Sequence, residues 1–132
     1  MSSTKQLPRA EWKDYFDRFT REFLSEDRAD DATIEVMSPT LGDQFEVSSA
    51  RLLGIDYDPK AETFEILVED LDHLVFEPTE IWILEDEPGF VSTIEVVQAD
   101  GTKQIIYLRS SGAATDDSSP RPAGGPGAPA DR

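Results

Sequence analysis

The chain has 132 residues, with 28 Asp and Glu against 12 Lys and Arg, a formal charge of −16 and no cysteine. A domain this acidic repels the phosphates of DNA, RNA and anionic membrane surfaces, so no nucleic-acid or membrane partner is expected. The absence of cysteine excludes disulfides, thiolate metal sites and Cys nucleophiles.

The length suits one domain, and a folded part of about 100 residues buries roughly two-thirds of its unfolded surface. Seven Phe, three Tyr and two Trp supply a core of that size. Removing everything from Ser111 onward still leaves a charge of −15, so the negative field belongs to the folded part. The start, MSSTKQLPRAEW, has no apolar run of a secretory signal, and no window approaches the ~18 apolar residues of a membrane span. A cytoplasmic protein is the resulting expectation.

Residues 1–6 carry no pattern and are expected to be flexible. From Leu7 to Ser25, Trp12, Phe16, Phe19 and Phe23 recur at spacings of four, three and four, and Tyr15 and Leu24 widen the stripe. This is the apolar face of an amphipathic helix, with Pro8 suited to its first turn and Glu11 to the positive end of its dipole. Lys13 with Asp17, Asp14 with Arg18 and Asp17 with Arg21 pair at i,i+4 on the other face.

After the polar break SEDRADDA the period changes from 3.6 to 2. TIEVMS alternates, PTLGDQ turns, and FEVSSARLLGIDYD places Phe45, Val47, Leu53, Ile55 and Tyr57 on one parity. Ser48, Ser49 and Gly54 within so long a run predict a bend or bulge. DPKAE closes a hairpin onto TFEILVED, where Phe64, Ile66 and Val68 share a face; HLVFE and EIWILED follow. VSTIEVVQ and KQIIYLR flank Asp100-Gly101, which predicts a two-residue type I′ hairpin loop.

These elements predict an α+β domain over residues 7–109: one amphipathic helix on a mostly antiparallel, strongly bent sheet or small barrel of about six strands. Residues 110–132, rich in Gly, Pro, Ala and Ser with no large apolar residue, are expected to be disordered.

The segment PTEIWILEDEPGFVSTIEVVQADGTKQIIYLR, read with LPRAEWKDYFDRFTRE, resembles a family of short bacterial proteins catalogued as domain of unknown function 5335. The resemblance spans about Leu7 to Arg109. It implies a small bacterial intracellular domain and carries no catalytic residue to transfer. In outline, a helix followed by a bent antiparallel sheet is also similar to Sm-like small barrels, a likeness of shape alone.

Chemistry is sparse. Asp56 and Asp58 begin at EF-hand spacing, but Ala61 stands where Gly is required and Leu67 where a bidentate Glu is required, so a hairpin turn accounts for them better. His73 is the sole histidine, so no His-Glu-x-x-His zinc helix exists. No phosphate loop or other cofactor motif is present, and no cofactor or structural metal is expected. The stretch LVEDLDHLVFEP surrounds His73 with Glu69, Asp70, Asp72 and Glu77, and reads as an acidic turn with His73 on an edge strand. His73, Asp70 and Asp72 are candidates for pH sensing, and Trp12 and Trp82 for an aromatic contact rim. The leading expectation is a non-enzymatic domain acting through protein contacts or self-association, by an open sheet edge or that rim. The alternative is a small enzyme or ligand-binding barrel in which Asp70, Asp72 or Glu80 converges on a pocket with His73.

Overall fold

The structure is a computed structural model that describes residues 3–25, 30–87 and 90–110, without the side chains of residues 23–25, 87, 90 and 110. The tail expected to be disordered lies, from Ser111, outside the described residues.

Among the described residues there are eight strands where about six were expected: β1 (Ser3–Leu7), β2 (Asp30–Ser38), β3 (Gly42–Asp58), β4 (Thr63–Val68), β5 (Leu71–Phe76), β6 (Pro78–Glu87), β7 (Phe90–Gln98) and β8 (Lys103–Ser110). The strand that the periodicity missed is β1. Its polar STKQL lacks an alternating apolar face, yet it pairs antiparallel with β6, Leu7 opposite Ile81. The order is β1-β6-β7-β8-β2-β3-β4-β5, every pairing is antiparallel, and the sheet stays open with β1 and β5 as its ends. It does not close into a barrel, which removes the Sm-like outline.

The sheet is nevertheless strongly bent. Three strands separate β5 from β8, a span of about 19 Å in a flat sheet at ~4.8 Å per strand. Instead His73 on β5 reaches Gln104 on β8 by a side-chain hydrogen bond. The bend folds β3, β4 and β5 over the inner face of the rest. That inner face centres on Ile34, Ile106, Ile94 and Ile83, successive cross-strand neighbours on β2, β8, β7 and β6, all fully buried. Phe64, Ile66 and Val68 close over them from β4, as their shared parity predicts.

β3 departs from simple parity. Its pairing with β2 shifts between Ile34 and Glu35 and again between Ala32 and Ile34, and its pairing with β4 shifts between Leu52 and Gly54. Each shift inserts a residue and exchanges the faces. Val47, Ile55 and Tyr57 are therefore buried, but Phe45 is 62% and Leu53 47% exposed, and Leu52 takes the inward position. The Ser48-Ser49 bulge is marked by Ser49 at φ 55°, its N–H donating to Thr33 Oγ1 at 3.1 Å.

Pro8 leads into a 3-10 turn, Arg9–Glu11, followed by α1, Trp12–Ser25. Trp12 and Phe16 are buried, while Tyr15 and Phe19 pack partly buried against the core; Phe23 and Leu24 fall among the side chains not described. Trp12 meets Tyr57 edge-on at 5.2 Å, and Phe16 meets Phe64 at 5.0 Å. On the outer face Lys13 and Asp17 pair at 3.2 Å.

Where β3 leaves β2 to pair with β4, one of its edges becomes free, and α1 lies along it. Thr20 Oγ1 accepts the Ile55 N–H at 3.0 Å and donates to the Ile55 carbonyl at 2.8 Å, so one hydroxyl satisfies both backbone groups. Gly54 permits this approach, since a Cβ there would lie 3.1 Å from Thr20 Cγ2.

The last hairpin differs from the two-residue loop expected. Gly101 N–H bonds to Gln98 O at 2.9 Å, Gln98 N–H bonds to Thr102 O at 2.8 Å, and Gly101 alone in the loop has positive φ, 90°. This is a three-residue loop, Ala99 to Gly101, built as a type I turn plus a left-handed glycine. Only the last residue of such a loop takes positive φ, so Asp100 does not, and its Oδ1 accepts the Thr102 N–H at 2.9 Å.

Thr20→Val keeps the shape of the helix contact but leaves the Ile55 N–H and C=O unpaired. It should lower unfolding free energy in urea by about 1–3 kcal/mol, with Thr20→Ser recovering most of the loss.

Candidate functional site

The stretch around His73 folds as the β4–β5 hairpin, which turns at Glu69 and Asp70 with Asp70 at φ 68°. Ile66 pairs with His73 and Phe64 with Val75 on the inner face; Glu65 pairs with Leu74, Leu67 with Asp72 and Thr63 with Phe76 on the outer face. β5 ends the sheet, and Leu71, Leu74 and Phe76 on it are 46%, 41% and 57% exposed. Glu77 N–H bonds to Glu62 O at 2.9 Å, continuing the ladder's alternation. The backbone groups of Leu71, His73 and Val75 thus face β4, and those of Asp72 and Leu74 face away from it. Edge strands are ordinarily guarded by Lys, Pro or a bulge. β5 contains no Lys or Pro, and its register with β4 runs without a shift.

One end of β5 is clasped to the opposite layer. His73 Nε2 lies 2.5 Å from Gln104 Oε1, Gln104 Nε2 donates to Gln98 Oε1 at 2.9 Å, and Gln98 Nε2 donates to the Phe76 carbonyl at 3.0 Å. Each amide has one direction in this chain, so the His73 Nε2 carries hydrogen. The geometry makes His73 a tie between the two layers.

The outer face of the hairpin is acidic. Glu65 stands directly across from Asp56 on β3 and diagonally from Asp72 on β5. A hydrogen bond shared with Asp72, then desolvation and the charges of Asp72 and Asp56, push the Glu65 carboxyl up to about 7. Lys13 Nζ approaches this group at 3.9 Å from Asp56 Oδ1.

The other expected site residues do not gather. Trp12 is 1% exposed, its Nε1–H donating to Leu7 O at 2.9 Å, so it is a core residue. Trp82 follows the inward Ile81 and precedes the inward Ile83, so it lies on the opposite face of β6, donating to Glu80 Oε1 at 3.0 Å. The two tryptophans form no common rim. Asp70 sits in the exposed turn and Asp72 on the outer face, whereas His73 faces Gln104, so these acids do not converge with it on a pocket. Among the described residues no three His, Asp or Glu side chains stand where they would hold a metal. Asp58 Oδ1 accepts the Lys60 N–H at 3.0 Å, the turn role read from the sequence. Sequence reasoning missed Leu71, Leu74 and Phe76 as surface residues. The available signal was that LDHLVF carries apolar residues on both parities, one more face than an edge strand can bury.

Two outcomes check these assignments. His73→Leu leaves Gln104 Oε1 unpaired at a buried position and should cost about 1–3 kcal/mol of stability, while His73→Gln, which retains a donor, should lose less. Glu65 is an acid whose folded value lies above its ordinary 4.5, so its contribution is present below that value and lost as pH rises through about 7. Glu65→Gln should therefore flatten the fall in thermal stability between pH 5 and 8, by under about 1 kcal/mol given solvent screening.

No helix of the described residues is long and apolar enough to cross a membrane. No solved structure matches the chain. An uncharacterized protein of Aquifex aeolicus (strain VF5) is 39% identical over 108 residues, covering 81% of this chain and 93% of the relative. A family match runs from residue 3 to residue 117, from the first residue of β1 past the end of β8, and the chain accordingly belongs to the Family of unknown function (DUF5335).

Proposed function

We propose that this protein is a non-enzymatic binding domain that takes up an extended segment of another protein as a ninth strand beside β5. The observation that carries the reading is the combination on one strand of outward backbone groups at Asp72 and Leu74 with exposed Leu71, Leu74 and Phe76. In strand addition the main-chain bonds supply affinity and alternate side chains supply selectivity, and β5 presents both. The clasp through Gln104 and Gln98 holds the strand against the core, so the edge is preformed and little ordering entropy opposes binding.

Selection from a library of random extended peptides, followed by amide hydrogen exchange of each complex, tests the reading. Bound peptides should slow exchange at Asp72 and Leu74, and Leu74→Lys should abolish that protection while leaving the fold intact. Peptides that bind without protecting β5 would place binding elsewhere and end the proposal.

A further inference from the structure

The chain has no Lys or Arg between Lys60 and Lys103, a stretch that contains all of β4, β5, β6 and β7. The β5 edge lies inside it. At one end of β5 stand Glu69 and Asp70, at the other Glu62 and Glu77, and Asp72 projects from its middle on the same face as Leu74 and Phe76. Asp70, Glu62 and Glu77 sit in the left-handed region, at φ 68°, 50° and 54°. All three are exposed, as is Glu69. Along six residues the edge therefore reads as acid, apolar and acid again, with backbone groups open between.

From this arrangement we infer that the occupant of the β5 edge is a basic strand: an extended peptide with apolar side chains opposite Leu74 and Phe76 and Lys or Arg opposite Asp72 and beside the acidic turns. The inference rests on the strand-addition reading above and names its ligand class. A second copy of this chain is the poorer occupant, because pairing two β5 edges would bring Glu69, Asp70, Asp72 and Glu77 of one molecule against the same acids of the other. Like charges placed across strands oppose pairing, and a chain of −16 adds long-range repulsion.

The outer face offers a basic side chain more than a single counter-charge. A Lys or Arg opposite Asp72 lies within reach of the Glu65–Asp72 pair, whose two carboxyls are joined by a hydrogen bond that requires a shared proton. A cation there takes the place of that proton. Binding of a basic strand should then strengthen as pH rises through neutrality, with Glu65, Asp72 and Asp56 the acids that face the cation and Lys13, beside Asp56, the nearby base.

The test uses the full chain and three ten-residue peptides that share the same apolar positions and carry Lys, Ser or Glu at the alternate ones. A fourth peptide keeps Lys but replaces the apolar residues with Ser. Calorimetry at low salt should show the Lys-apolar peptide binding about tenfold or more tighter than the Ser-apolar peptide, with the gap closing as salt is raised. The Glu-apolar peptide should not bind. Asp72→Asn and Glu65→Gln should shrink the preference for Lys, and Leu74→Lys should weaken every peptide. Hydrogen exchange should report protection at Asp72 and Leu74 in the bound state.

Equal binding of the Lys-apolar and Ser-apolar peptides, with β5 protected in both, would overturn the basic specificity and leave strand addition standing. Failure of every peptide to protect β5 would remove strand addition itself. Equal binding of the Lys peptide that lacks apolar residues would reduce the effect to diffuse charge and overturn the proposal. Concentration-dependent dimerisation that protects the same amides without peptide would give the edge to a second copy and overturn it as well.

Discussion

The change of partner along β3 is the constraint on which the rest of the molecule depends. One strand of 17 residues pairs with β2 over its first part and with β4 over its second, and the register shifts between them turn it through the corner. A strand that leaves its neighbour exposes backbone groups beside the core, where an unmade hydrogen bond is costly. The Thr20 hydroxyl fills that gap at Ile55, and Gly54 removes the side chain that would hold the helix away. Helix docking and sheet bending thus meet at the same residues.

The bend then decides which residues meet. It brings β5 onto β8 although three strands intervene, and the polar contact made there, His73 to Gln104 and on to Gln98 and Phe76, secures the end of a strand that would otherwise fray. The same bend leaves β5 with one neighbour. An open sheet must end somewhere; here β1 ends it with a polar strand and β5 with an apolar one. That strand exposes Leu71, Leu74 and Phe76, and the acids around it are the basis of the proposed preference for a basic partner over a second copy.

Acidity thereby has a local meaning beyond the general solubility that follows from a large net charge. On the outer face of the hairpin, Glu65, Asp72 and Asp56 crowd closely enough for one carboxyl to hold its proton to about 7. Crowding of that kind favours whatever supplies positive charge from outside.

The sequence by itself determined the local elements. The aromatic stripe of α1, the alternation of β2, β4, β6, β7 and β8, the bulge at Ser48-Ser49, the turn at Asp58 and the place, though not the length, of the loop at Gly101 follow from side-chain period and backbone preference, which neighbours in the chain decide. It also marked the acidic hairpin around the sole histidine, on which the proposed function rests. Tertiary structure decided the rest. Phe45 and Leu53 fall outside because bulges reverse parity, and Trp12 becomes core because the helix packs on Tyr57. β1 forms because β6 offers it an edge, and His73 finds its partner in Gln104, 31 residues further on. None of these has a period or a spacing to read, since each depends on which distant strand the bend of β3 brings alongside.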